Sequence, residues 1–174
     1  MAGRLGHDLR VAILGLGEAG GRLAADLIAL GAQVSGFDPL PGPQTEGIRP
    51  AEDVRGAVEG SDVVLSVNSS GAAVTVARDC ADALAGVRLY ADLNTASSAV
   101  KVAVAEVIGE RGVPFADVAL MAPVPQQGIA TPALASGSGA TPLPSSSRHS
   151  VCRSRCWDPS RALRRSASCY VACS

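Results

Sequence analysis

The stretch RVAILGLGEAGGRLAADLIALGAQVSGFD, residues 10–38, leaves this chain few ways to fold. It opens with an apolar run that stops on glycines, which reads as a buried parallel strand over residues 10–17. Residues 18–31 then place Leu23, Leu27 and Leu30 at helical spacing among Ala24, Ala25 and Ala29, with Gly31 as a C-cap signal. Residues 32–38 read as a second strand. A strand, a tight turn, a helix and a second strand in this order form a βαβ unit with two parallel strands and a right-handed crossover.

The turn itself is GLGEAG, which spaces Gly15, Gly17 and Gly20 as G-x-G-x-x-G. Each glycine has its own physical task. Gly15 permits the tight turn, Gly17 lets the backbone approach a pyrophosphate, and Gly20 lets the helix pack close to the strand. Free amides at the helix start, aided by the helix dipole, suit phosphates. Asp38 closes the second strand at the spacing expected for a carboxylate that bonds the adenosine ribose hydroxyls. A carboxylate there repels a 2′-phosphate, and Pro39 follows it rather than an arginine, so NAD is favoured over NADP.

The alternation continues downstream. A Pro/Gly-rich loop precedes a short helix over residues 51–62, and residues 62–68 read as a third strand. A serine-capped helix begins at residue 69, a fourth strand spans residues 88–95, a capped helix spans 97–112, and a fifth strand spans 114–124. Strands alternating with helices predict a doubly wound parallel α/β sheet, Rossmann-like in its nucleotide half. Only 3% of residues are aromatic while 47% are hydrophobic, so the core must be Ala, Val, Leu and Ile, as a Val-rich sheet under small helices requires.

These segments resemble the β-hydroxyacid dehydrogenases, the group of 3-hydroxyisobutyrate and 6-phosphogluconate dehydrogenases. Residues 10–38 resemble the family's cofactor motif G-L-G-x-M-G-x-x-M-A-x-x-L, with Ala19 in place of the usual Met. DVVLSVNSS is similar to its segment beside the nicotinamide ribose, ADLNTASS to its D-x-S-T segment, and FADVALMAPVPQQG to its D-A-P-V-S-G-G segment. The resemblance implies cofactor contacts from Gly15, Leu16, Gly17, Glu18, Ala19, Gly20, Asp38, Val67, Asn68, Asn94 and Thr95. It implies substrate contacts from Gln126, Gln127 and Gly128, although Pro125, Gln126 and Gln127 stand where Ser-Gly-Gly is usual. It further implies hydride transfer between a nicotinamide cofactor and a small hydroxy acid, and dimerisation in full-length relatives. A helical second domain carries the family's acid/base lysine and completes the substrate site. The only lysine here is Lys101, which reads as a solvated helix residue, so no catalytic residue is assigned.

Several other residues have plain structural readings. Thr95 and Ser97 are candidate helix caps, and Cys80 reads as core packing. From Gln126 the periodicity fails, which sets domain bounds of a leader over 1–9, the nucleotide domain over 10–137 and an irregular tail over 138–174. The tail holds Cys152, Cys156, Cys169 and Cys173 and six arginines. Zinc sites want pairings other than His149, Cys152 and Cys156, and no binding fold accompanies the arginines, so neither a metal site nor nucleic-acid binding is expected. Such composition without period is what a GC-rich gene gives out of frame, which points to a frameshift near residues 139–141 and an absent helical domain. The N-terminus shows no secretory h-region and no run reaches a membrane span, so a cytoplasmic protein is expected. The competing reading is a non-catalytic nucleotide-binding or regulatory module whose tail binds a partner or metal.

Overall fold

The computed structural model describes residues 9–40 and 45–140. Residues 1–8 of the leader and residues 141–174 of the tail, with its metal reading, lie outside the described residues.

The first unit folds as its apolar pattern dictates. Strand β1 is Arg10–Leu14, helix α1 is Glu18–Ala29 and strand β2 is Gln33–Phe37, parallel to β1 in the register Val11↔Val34. The chain then forms a two-residue strand β3 (Arg49–Pro50), helix α2 (Val54–Val58) and strand β4 (Val63–Ser66). Helix α3 is Ala73–Cys80, strand β5 is Leu89–Asp92, helix α4 is Ser98–Gly109 and strand β6 is Phe115–Leu120. The order across the sheet is β3-β2-β1-β4-β5-β6, continued by one further strand, β7 (Ala133–Ser136). The chain winds outward from β1 in both directions, so a crevice opens at the carboxyl ends of β1 and β4, where the winding reverses.

Two apolar layers hold this arrangement. On one face Leu23, Ala24 and Leu27 of α1 cover Val11 and Ile13. On the other Ala57 and Val58 of α2, Ala77 and Cys80 of α3, and Val104 and Ile108 of α4 cover Ala12, Leu14, Val64 and Tyr90. Alternate residues of β1 thus feed alternate layers, as the two-residue period of a strand demands.

The structure departs from the sequence reading beyond residue 120. The fifth long strand stops at Leu120 instead of reaching Val124, which begins a short helix α5 (Val124–Gln127). The chain is not patternless after Gln126: β7 returns antiparallel to β6, pairing Asp117↔Ser136 and Leu120↔Ala133, so the sheet is mostly rather than wholly parallel. Its four residues, ALAS, carry too little contrast between apolar and polar to show a period. Residues past 137 continue the packing. The Phe115 amide donates to Ser138 Oγ at 3.0 Å, the Gly139 amide donates to the Phe115 carbonyl at 2.7 Å, and Ala140 is buried.

Candidate functional site

The glycine turn sits where the sequence placed it, between β1 and α1. Gly15 has φ +104, and a Cβ there would lie 2.2 Å from the Val67 carbonyl oxygen, so the turn and the end of β4 can touch only through glycine. A Cβ on Gly20 would lie 1.9 Å from the Gly15 carbonyl, which fixes how closely α1 approaches β1. Gly17 is different. It is the N-cap of α1, no side chain caps the helix, and a Cβ there would meet nothing within 4 Å. The start of a twelve-residue helix therefore faces open space with uncapped amides.

The flanking residues complete this end. The Leu16 amide donates to Asp38 Oδ2 at 2.7 Å, and the Leu40 amide donates to Asp38 Oδ1 at 2.9 Å. The carboxylate is thus fixed against the glycine turn, and each oxygen keeps a lone pair for a further donor. Glu18 is exposed in the first turn of α1, and Ala19 and Leu16 are half-buried against the α1 layer. Gly36 of β2 was not singled out in the sequence, yet a Cβ there would lie 3.0 Å from Leu16 Cδ2. These residues fit a dinucleotide: a backbone cradle at a helix start for the pyrophosphate, and a fixed carboxylate for ribose hydroxyls.

The other implied cofactor residues gather at the ends of β4 and β5. Asn68 Nδ2 donates to Ser66 Oγ at 2.9 Å, and Asn94 Nδ2 donates to the same oxygen at 3.1 Å. Val67 and Asn68 are half-buried, Asn94 is 5% exposed, and Thr95 is exposed. The Oδ1 atoms of both asparagines are buried without a partner among the described residues. Ser97 caps α4, its Oγ accepting from the Val100 amide at 3.5 Å, so of the two cap candidates the second is the one used.

Lys101 is a correction. It is not a solvated residue: its side chain is 11% exposed, and Nζ lies 2.7 Å from Asp117 Oδ1 and 3.2 Å from Asp92 Oδ2. It also donates to the Asp92 carbonyl at 3.1 Å. Asp92 is wholly buried, and β4, β5 and β6 align Ser66, Asp92 and Asp117 in one register row. The general exposure of lysine misled the sequence reading, because nothing local to α4 reveals two carboxylates on neighbouring strands.

Gln126 and Gln127 are exposed on α5, while Gly128 is buried. A Cβ on Gly128, which has φ +55, would clash with Asp26 on α1. Asp26 also accepts from the Ile129 amide at 2.8 Å, so this segment is fastened to the flank of α1. Cys80 is fully buried, as core packing requires, and burial pushes its thiol up to about 12. Burial likewise pushes the Tyr90 hydroxyl above its ordinary value. Among the described residues no cluster of three or more potential ligands could hold a metal ion, and no helix is long and apolar enough to cross a membrane.

Comparison with solved structures places this geometry among known proteins. A conserved hypothetical protein from Sinorhizobium meliloti 1021 matches with 27% identity and a TM-score of 0.64, over 73% of this chain and 46% of that one. The 3-hydroxyisobutyrate dehydrogenase of Mycobacterium tuberculosis, solved with L-serine, matches with 27% identity and a TM-score of 0.60, over 68% of this chain and 43% of that one. An imine reductase variant from Myxococcus stipitatus, in complex with NAD+, shares the fold at 23% identity and a TM-score of 0.63, over 75% of this chain and 46% of that one. The chain thus spans about half the length of the structures it matches. No curated protein matches it in sequence. The family model for the NAD binding domain of 6-phosphogluconate dehydrogenase matches residues 10–124, well over half of the 174, and the chain belongs to that family.

Proposed function

We propose that this chain is the NAD-binding half of an oxidoreductase that moves a hydride between a nicotinamide cofactor and a small hydroxy acid. The observation that supports it most is the open backbone at Gly17, set between the buried glycines and the fixed Asp38 carboxylate. The cofactor supplies or accepts the hydride when bound. The chain's own residues bind and orient. Amides at the start of α1 meet the pyrophosphate, Asp38 accepts from the ribose hydroxyls, and Val67, Asn68, Asn94 and Thr95 border the nicotinamide end. Gln126, Gln127 and Gly128 remain the substrate-side candidates.

The preference for NAD rests on charge. A 2′-phosphate would lie beside the Asp38 carboxylate, whose oxygens already accept two backbone amides. The test is calorimetric titration of the chain with NADH and NADPH. NADH is expected to bind about tenfold tighter, a difference of about 1.4 kcal/mol, and Asp38→Asn to narrow that ratio. Failure of both ligands to bind would overturn the reading; tighter NADPH binding would overturn the cofactor preference.

One observation favours the non-catalytic reading for the chain by itself: the ammonium of its single lysine is enclosed by protein oxygens. General acid–base help is worth about 10²–10⁴-fold, so turnover of hydroxy acids by this chain alone is expected to be near background. Measured turnover at ordinary enzyme rates would reject that second reading.

A further inference from the structure

We propose that Lys101 is a positioning residue that sets the nicotinamide end of the cofactor site through Asp92 and two asparagines. The inference rests on the dinucleotide reading above and adds to it a residue that touches no ligand.

The contacts form one chain. Lys101 holds Asp92 from the α4 side, with Nζ 3.2 Å from Oδ2 and 3.1 Å from the carbonyl oxygen. The opposite oxygen, Oδ1, accepts from the Asn94 amide at 3.0 Å and from Asn94 Nδ2 at 2.5 Å. Asn94 Nδ2 also reaches Ser66 Oγ, which accepts in turn from Asn68 Nδ2. A displacement at Lys101 is thereby passed to the two asparagines that follow β4 and β5 at the crevice.

Three features separate positioning from the alternatives. Three protein oxygens lie within 3.2 Å of Nζ, the Asp92 carbonyl as hydrogen-bond acceptor and the two carboxylates as ion-pair partners, so the ammonium is committed to protein oxygens, although Asp92 Oδ2 itself accepts no hydrogen bond among the described residues. A pair that merely fastened α4 to the sheet would need only Asp117, whose side chain is 35% exposed. Burying Asp92 instead carries a desolvation cost, which a contact serving only stability does not require. The third feature is what the chain ends on. Asn68 Oδ1 and Asn94 Oδ1 are buried acceptors without partners among the described residues, and an unmet buried acceptor calls for a donor. The nicotinamide half offers two kinds of donor, ribose hydroxyls and the carboxamide N–H. Both oxygens are buried, so the orientation of the two amides decides whether a donor can reach them, and Lys101 holds that orientation through Asp92.

The test compares ADP, ADP-ribose and NADH binding to the full chain and to Lys101→Met, Lys101→Arg and Asp117→Asn. ADP lacks the second ribose and the nicotinamide; ADP-ribose lacks only the nicotinamide. Lys101→Met is expected to keep ADP affinity within about twofold and to weaken NADH about 10–100-fold, the range seen when a supporting partner behind a binding group is removed. Lys101→Arg should recover part of the loss. A loss already present with ADP-ribose assigns the donors to the ribose hydroxyls; a loss confined to NADH assigns them to the carboxamide. Unchanged NADH affinity, or ADP and NADH weakening together, overturns the proposal. Should Lys101→Met not fold, Asp117→Asn carries the test, with about a 3–10-fold loss expected for NADH alone and an unchanged ratio overturning the proposal. Wild-type protein that binds ADP but gains nothing from the nicotinamide half also overturns it, whereas wild-type protein that binds none of the three removes the dinucleotide reading beneath it.

Discussion

The two ends of the crevice are built by different means. At β1–α1 the work is done by missing side chains: Gly15 and Gly20 let backbones approach to where a Cβ would lie about 2 Å from an oxygen. At β4–β5–β6 it is done by side chains that are present, with Ser66, Asp92 and Asp117 in one row and Lys101 bridging the two carboxylates. The first device is carried by one short motif, even though Gly15 meets Val67 and Leu16 meets Asp38 across the fold. The second depends on strand register and on a helix that arrives nine residues after Asp92. The same protein surface can therefore be locally encoded at one end and globally encoded at the other.

The largest expected effect tests the backbone end. Gly20→Val should prevent folding, a loss above about 4 kcal/mol, because the new atoms meet backbone that cannot yield. Gly17→Ala should leave a urea melt within about 0.5 kcal/mol of wild type, while weakening NADH, because its Cβ enters open space. Equal melting curves for the two variants would break the distinction between packing and binding glycines. The side-chain end should respond next. Lys101→Met leaves Asp92 buried without its cation and should cost about 3–5 kcal/mol in the same melt. Asp117→Asn should cost less than about 1 kcal/mol, since that carboxylate is partly solvated. Similar costs for both would show that the row is a simple surface ion pair. The smallest effect is at the α4 cap. Ser97→Ala should remove about 0.5–1 kcal/mol, read from the same unfolding curves, and no more, because its bond to Val100 is long.

The contrast also explains what could be read in advance. Gly15, Gly17, Gly20 and Asp38 were legible because each sits at a position that the sequence marks, a turn, a helix start or a strand end, although Gly15 and Asp38 make their contacts across the fold. The capping role of Ser97 and the burial of Cys80 were legible for the same reason. Lys101 was misread because an isolated lysine on a helix carries no sign of its neighbours on β5 and β6. Strand β7 was missed because small residues beside Gly and Pro form a strand only when β6 offers an open edge to pair with. Asp92 lies in a segment that the sequence marks, yet its place between lysine and asparagine is visible only in three dimensions.

The reversal of β7 has a consequence for how the crevice could be covered. Strand β6 climbs toward the crevice and β7 descends, so the described chain leaves the sheet at Gly139 and Ala140, beside Phe115 at the foot of β6. The crevice lies a strand's length away, about 20 Å at 3.3 Å per residue. An element that followed Ala140 in the chain and roofed the crevice would start from the far pole and travel the height of the domain. A single extended helix of about 13 residues would cover that distance at 1.5 Å per residue. The domain is thus laid out like a hand offered palm-up with the wrist at the opposite end: the grip closes by something that arcs over the fingers, or by the hand of a second molecule.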